Sequence, residues 1–163
     1  MDTADKLTIN VNGIPEGGLE LKGQLPEAIF AIEESEHVSC PSPLSYDLRV
    51  ANVDEDILVT GRVSTALRCR CDRCLSYYTQ SIENPNVTHL IESPKEAQLD
   101  LTERVREDIL ISFPRKQLCA SDCHGICPGC GQNLNTRQCG CKNDRSGPNV
   151  WESLDGLFDE DST

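Results

Sequence analysis

Aromatic residues are scarce in this 163-residue chain, at 4%, and only 37% of its positions are hydrophobic. A chain of this length has room for one core and a small satellite module, and with so few rings that core is modest. No apolar run approaches the roughly 20 residues that span a bilayer. The opening MDTADKLTINVNG has no basic region leading into an apolar stretch, and it lacks the Arg- and Ser-rich character of a transit peptide. These absences lead us to expect a soluble, cytoplasmic protein. There is no HExxH, no Gly-rich loop ending in Gly-Lys-Ser/Thr and no Gly-x-Ser-x-Gly. No catalytic residue or small-molecule substrate is therefore expected, and the chain reads as a non-enzyme.

Positive charge is also in deficit. Fifteen Lys and Arg stand against 27 Asp and Glu, a formal charge of −12. Such a chain does not coat nucleic acid, because nonspecific binding comes from Lys and Arg displacing counterions. The deficit is uneven, however. Residues 62–73 hold Arg62, Arg68, Arg70 and Arg73 against Asp72 alone, a local +3. Residues 115–145 hold Arg115, Lys116, Arg137, Lys142 and Arg145 against Asp122 and Asp144, again +3. Arg68, Arg70, Arg73, Arg115, Lys116 and Arg137 are the candidate RNA- or partner-facing residues, although such charges also simply keep a segment soluble.

Hydrophobic patterning divides the chain. KLTINVN alternates as an opening strand, whereas residues 26–43 are indistinct. SYDLRVANV and ILVTGRVSTALRC flank the acidic turn DED and predict a hairpin. Residues 77–82 and 87–91 predict two further strands parted by the turn signal ENPN. LDLTERVREDILISFP predicts a helix, with Leu101, Val105 and Ile109 on one face, Leu110 and Ile111 flanking it, and an Asp100–Glu103 capping box. Pro114 stops that helix near Ser112. The expected fold is α+β: a mainly antiparallel β domain over residues 1–98, a helix packed on it over 99–114, a Cys-rich zinc-ribbon-like module over 115–145, and a short helix with an acidic tail over 146–163. In that last segment Trp151, Leu154 and Leu157 or Phe158 would face inward.

Against these shortages stands one excess. The chain has ten cysteines, and in a reducing compartment thiols in this number point to metal or redox chemistry over disulfides. Cys127-Pro-Gly-Cys130-Gly131 has knuckle spacing, with a glycine where the backbone must turn. Cys139 and Cys141 are the nearest pair to complete a four-cysteine site for one Zn2+. A second pair, Cys71 and Cys74, also has knuckle spacing, and Cys119 and Cys123 are a further half-site; together they make a possible second zinc site. An alternative pairing draws Cys119 or Cys123 into the first site, and Cys69 and His124 are possible substitute ligands. Cys40 and Cys69 are left as two free, reactive thiols. All-thiolate sites leave no open position for activating water, so the metal is read as structural. The thioredoxin arrangement, a C-x-x-C opening a helix, is absent: Cys74 leads into β-prone LSYYTQSI and Cys130 into the loop GQNLN.

The ordered set Gly61 and Val63; Cys71, Arg73, Cys74 and Leu75; Pro114; Leu118 and Cys119; Cys123, Gly125, Ile126, Cys127, Pro128, Cys130, Gly131, Asn133, Leu134 and Asn135; then Cys139 and Cys141 resembles the YceD-type large ribosomal RNA subunit accumulation proteins. The resemblance spans residues 61–141. It implies a non-enzymatic bacterial factor, with plastid relatives, needed for accumulation of 23S ribosomal RNA. Where that family often ends in Asp-Pro-Arg and a leucine-spaced helix, this chain has DRSGPNVWESL. A strongly acidic protein in that role is expected to hold a basic ribosomal protein or a pre-large-subunit particle, with only local contact to rRNA. The competing reading is a thiol redox protein, or one that senses oxidants by releasing zinc.

Overall fold

The computed structural model describes residues 6–31, 38–94 and 96–141. The anticipated C-terminal helix, with Trp151 and Leu154, lies outside the described residues, as do His37, Lys142 and Arg145. Among the described residues seven strands and one α-helix follow in the order β1 (Thr8–Asn10), β2 (Leu19–Leu25), β3 (Val38–Ser39), β4 (Leu44–Val53), β5 (Asp56–Arg70), β6 (Tyr77–Glu92), β7 (Gln98–Asp100) and α1 (Thr102–Leu110), with short 3-10 turns at Val11–Gly13 and Glu27–Phe30. Every strand pairing is antiparallel. The main sheet is built around β5: β4 and then β3 pair along one edge, β6 runs along the other, and β2 lies outside β4. β1 and β7 form a separate two-stranded ribbon.

The β4–β5 hairpin turns where DED was expected to turn it, with Val53 opposite Asp56 and Asp54 in the left-handed region at φ 54°. The two strands expected at 77–82 and 87–91 are one strand. ENPN makes a bulge instead of a turn: Gly61 pairs with Val87 and Val63 with Asn84, so Pro85 and Asn86 together face Arg62. An extra residue on one strand of a pair bends it and shifts its alternation by one. Ile82 and Val87, five residues apart, are consequently both buried. Pro85, which has no N–H to donate, sits in the bulge, where a ladder bond is dispensable. The alternation restarts there, which is why the sequence read as two strands.

Gly61 is required at the same place. Its φ is 149°, and a Cβ added there would lie 2.2 Å from the Asp47 carbonyl oxygen and 2.8 Å from Leu48 Cα. The absence of a side chain lets β4 approach β5 at the bend.

The helix faces the sheet with Leu101, Val105 and Ile109, all buried with Val63, Val87 and Ile57 in one core. Ile111 instead lies past the helix end and is 79% exposed. The expected capping box is not formed. Asp100 Oδ1 accepts from the Thr102 N–H at 2.9 Å, but Glu103 pairs with Arg106 at 3.2 Å. The helix begins one residue too late for Glu103 to reach back, because 98–100 are held as β7 against β1. Thr102 accepts from the Leu7 N–H at 2.8 Å, fastening helix and ribbon together. On the sheet side, His89 Nε2 lies 2.7 Å from Asp108 Oδ2. No described helix is long and apolar enough to cross a membrane.

Candidate metal centres

β5 runs out of the sheet into the first knuckle. Cys69 is its last core residue, packed with Leu67. Two residues on, Cys71 belongs to a separate small cluster with Cys74 and Cys123. The Leu75 N–H donates to Cys71 O at 2.9 Å, and the Cys71 N–H to Ser76 O at 2.9 Å. The second knuckle repeats this pattern: Gly131 N–H to Cys127 O at 2.8 Å and Cys127 N–H to Gln132 O at 2.8 Å. Both turns need a left-handed residue after the second cysteine. Gly131 adopts φ 72° there without strain, whereas Leu75 adopts φ 61° against its side-chain sterics.

The structure brings the eight thiols into two tetrads, Cys71, Cys74, Cys119 and Cys123, and Cys127, Cys130, Cys139 and Cys141; the Sγ atoms of each lie within 4.8 Å of one another. In the first, Cys71 Sγ is 3.8 Å from Cys123 Sγ and Cys74 Sγ 3.5 Å from Cys119 Sγ. Four sulfurs arranged tetrahedrally at the usual Zn–S distance of about 2.3 Å stand roughly 3.8 Å apart. The spacing fits a four-coordinate thiophilic metal, and none of the described cysteines is disulfide-bonded.

Charge within each tetrad is arranged in the same way. Burial works against the Cys71 thiolate, but N–H groups of Cys74, Cys119 and Arg73 outweigh it and bring the thiol down to about 6. The Cys130 and Gly129 N–H groups lower Cys127 to about 7. The opposing thiols are driven the other way: Cys119 is pushed up to about 12 by its hydrogen bond to Cys74, and Cys141 to about 12 by its hydrogen bond to Cys130. Four thiolates repel one another at this distance, and a divalent cation removes that repulsion.

Residues around the tetrads brace them, among them Arg73, which the sequence offered only as an RNA- or partner-facing residue. Arg73 Nη1 donates to Cys123 O at 3.0 Å, and Arg73 O accepts from the Ile126 N–H at 3.1 Å. Asp72 N–H donates to Gln117 O at 2.7 Å, while Asp72 Oδ2 accepts from Gln117 N–H at 2.9 Å. Asn135 Nδ2 donates to Cys123 Sγ at 3.2 Å. The Asn-x-Asn spacing of residues 133–135 was visible in the sequence, but nothing in it said which sulfur an amide would meet.

The basic residues separate. Arg115, Lys116 and Arg137 are exposed. Arg68 lies with its guanidinium carbon 4.7 Å from the centre of the Tyr77 ring, Arg70 is half-buried, and Arg73 braces the first knuckle. His124 is exposed and outside both tetrads. The expectation of two reactive free thiols needs correction. Cys69 is fully buried, and Cys40, half-buried, is pushed up to about 11 by burial and then by Cys69. At neutral pH neither is a ready nucleophile.

Residues 86–158 match the family described as Large ribosomal RNA subunit accumulation protein YceD. Over that span the chain is similar to the YceD proteins. It is 27% identical over 169 residues to an uncharacterized protein of Mycobacterium leprae, covering 85% of this chain and 75% of the relative. An uncharacterized protein of Mycobacterium tuberculosis is also 27% identical, over 139 residues, 69% of this chain and 67% of its own. The chloroplastic Large ribosomal RNA subunit accumulation protein YCED homolog 1 of Arabidopsis thaliana is 33% identical over 48 residues, 29% of this chain and 15% of its own. No solved structure matches the chain.

Proposed function

We propose that this protein is a non-enzymatic, zinc-stabilised factor that supports accumulation and processing of large-subunit (23S) ribosomal RNA and ribosome assembly in the cytoplasm. The observation that carries this reading is the coincidence of the matched region with the thiol tetrads: six of the eight clustered cysteines fall within residues 86–158. In this reading Cys71, Cys74, Cys119 and Cys123 hold one zinc ion and Cys127, Cys130, Cys139 and Cys141 a second. The sheet and helix (residues 1–114) are a platform, and residues 115–145 are a metal-tied module stapled to it through the first knuckle.

The direct partner is a basic ribosomal protein or a pre-large-subunit particle. Each four-thiolate zinc site carries a net −2, so two sites deepen the formal −12 and favour a cationic protein over bare RNA. Exposed Arg115, Lys116 and Arg137 make local contact with rRNA. Two measurements test this. A strain lacking the protein should show a reduced ratio of large- to small-subunit rRNA, and an unchanged ratio overturns the reading. Affinity capture of the tagged chain should recover large-subunit ribosomal protein; recovery of rRNA stripped of protein counts against the partner assignment.

A further inference from the structure

The two tetrads are consecutive in sequence and tied to each other. Cys123 belongs to the first and Cys127 to the second, with only His124, Gly125 and Ile126 between them. The loop that closes the second tetrad, between Cys130 and Cys139, does not stay on its own side. Asn135 donates its side-chain amide to Cys123 Sγ in the first tetrad at 3.2 Å, and its Oδ1 accepts from the His124 N–H at 2.8 Å. Asn133 Oδ1 holds Asn135 in place through both its backbone N–H and its Nδ2, each at 2.9 Å. Asn133 Nδ2 in turn donates to Ser76 Oγ at 3.1 Å, on the first knuckle. Backbone bonds run along the same line: Leu134 N–H to Gly125 O at 2.9 Å, with Ile126 and Asn133 forming a β-bridge. Gly125 makes the approach possible, since at φ 75° a Cβ there would stand 3.1 Å from Arg73 O.

We infer that the two metal centres are energetically coupled, and that Asn135 is the positioning residue that couples them. The inference rests on the metal reading above. Closing the second tetrad around a metal fixes both ends of the 131–138 loop. That places the Asn135 amide against Cys123, where an N–H donor spreads thiolate charge and holds the ligand in orientation. Outer-shell donors of this kind typically change metal affinity 10–100-fold. Coupling is reciprocal, so loading the first centre strengthens the second by the same factor.

The test uses the full chain loaded with Co2+, whose sulfur-to-metal charge-transfer band reports on the thiolates, and follows metal loss to a chelator. Cys139→Ala/Cys141→Ala empties the second centre, and Cys71→Ala/Cys74→Ala assigns the remaining signal. With the second centre emptied, metal should leave the first roughly 10-fold faster. Asn135→Ala, both centres intact, should speed first-centre loss by a similar factor and move its charge-transfer band to lower energy, because a thiolate without its N–H donor gives up electrons more readily. Combining Asn135→Ala with the emptied second centre should add little. First-centre release within twofold of the unsubstituted chain in both variants, or an unmoved band in Asn135→Ala, overturns the coupling. Retention of the sheet circular dichroism excludes unfolding as the cause, and Asn133→Ala provides an independent break in the same chain of bonds. Failure of the unsubstituted chain to bind two metal ions would sink the metal reading itself, an outcome distinct from two tightly held but independent ions.

Discussion

Stripping metal from this protein should unfold residues 115–141 and leave the sheet standing. The size of the effect follows from how little that segment buries. Its only buried hydrophobic side chains are Cys123 and Cys127, with Leu118 and Leu134 half-buried. Ordering the backbone costs roughly 1 kcal/mol per residue at the low end, which for this segment is on the order of 25–30 kcal/mol. The two leucines return about 3 kcal/mol between them. Two thiolate zinc sites, at about 10–16 kcal/mol each near neutral pH, bring the segment to balance; apolar packing alone leaves it far short. Hydrogen–deuterium exchange under reducing conditions, with and without a strong chelator, reads this directly. The amides of Cys127, Gly131 and Leu134 are each hydrogen-bonded in the folded segment and should lose protection on chelation, while those of β4, β5 and β6 keep theirs. A metal-free chain that retains protection across 115–141 would refute the reasoning, as would sulfurs joined to one another.

Three further outcomes follow. Gly61→Ala should cost about 3 kcal/mol, the upper end of over-packing penalties, because the new Cβ meets backbone of β4 at 2.2 Å and 2.8 Å; a shift in the urea midpoint worth less than about 0.5 kcal/mol, the range of inert surface changes, would contradict it. Leu75→Gly should be neutral or stabilise the metal-loaded protein by up to about 1 kcal/mol by relieving a left-handed non-glycine, and a clear loss in thermal stability would show that the Leu75 side chain matters more than its backbone. Metal affinity should rise with pH: Cys119 and Cys141, at about 12, hold protons that binding must expel, so the bound state carries fewer protons and acid favours release. Each expelled proton makes the affinity climb about tenfold per pH unit, and chelator competition giving the same affinity across neutral pH would refute it.

Local periodicity made several elements legible. The hairpin around DED and the helix face of Leu101, Val105 and Ile109 could be read because alternation and helical spacing are continuous there. Strand β6 was misread because its bulge at Pro85 resets the alternation midway, and a phase slip looks like a chain break to any local reading. β2 and β7 were missed for a different reason. Leu19–Leu25 alternates, but Gly23 leaves its apolar face without a side chain midway, and Gln98–Asp100 is short enough to look like the start of the helix. Each becomes a strand because a partner, β4 or β1, is waiting for it.

By themselves the residues determined that thiols come in closely spaced pairs, two of them with knuckle spacing, and that the segment after Pro114 lacks an apolar core, because ligand spacing and composition are properties of the chain. The sequence offered one pairing of these half-sites and an alternative to it, and tertiary structure chose between them. Cys71 and Cys119 lie far apart in sequence, and only the length of β5 and the path of the chain after α1 bring them together. The position of Asn135 was decided in the same way: its amide reaches Cys123 because the closing loop of one tetrad folds back over the other, a juxtaposition that no local spacing encodes.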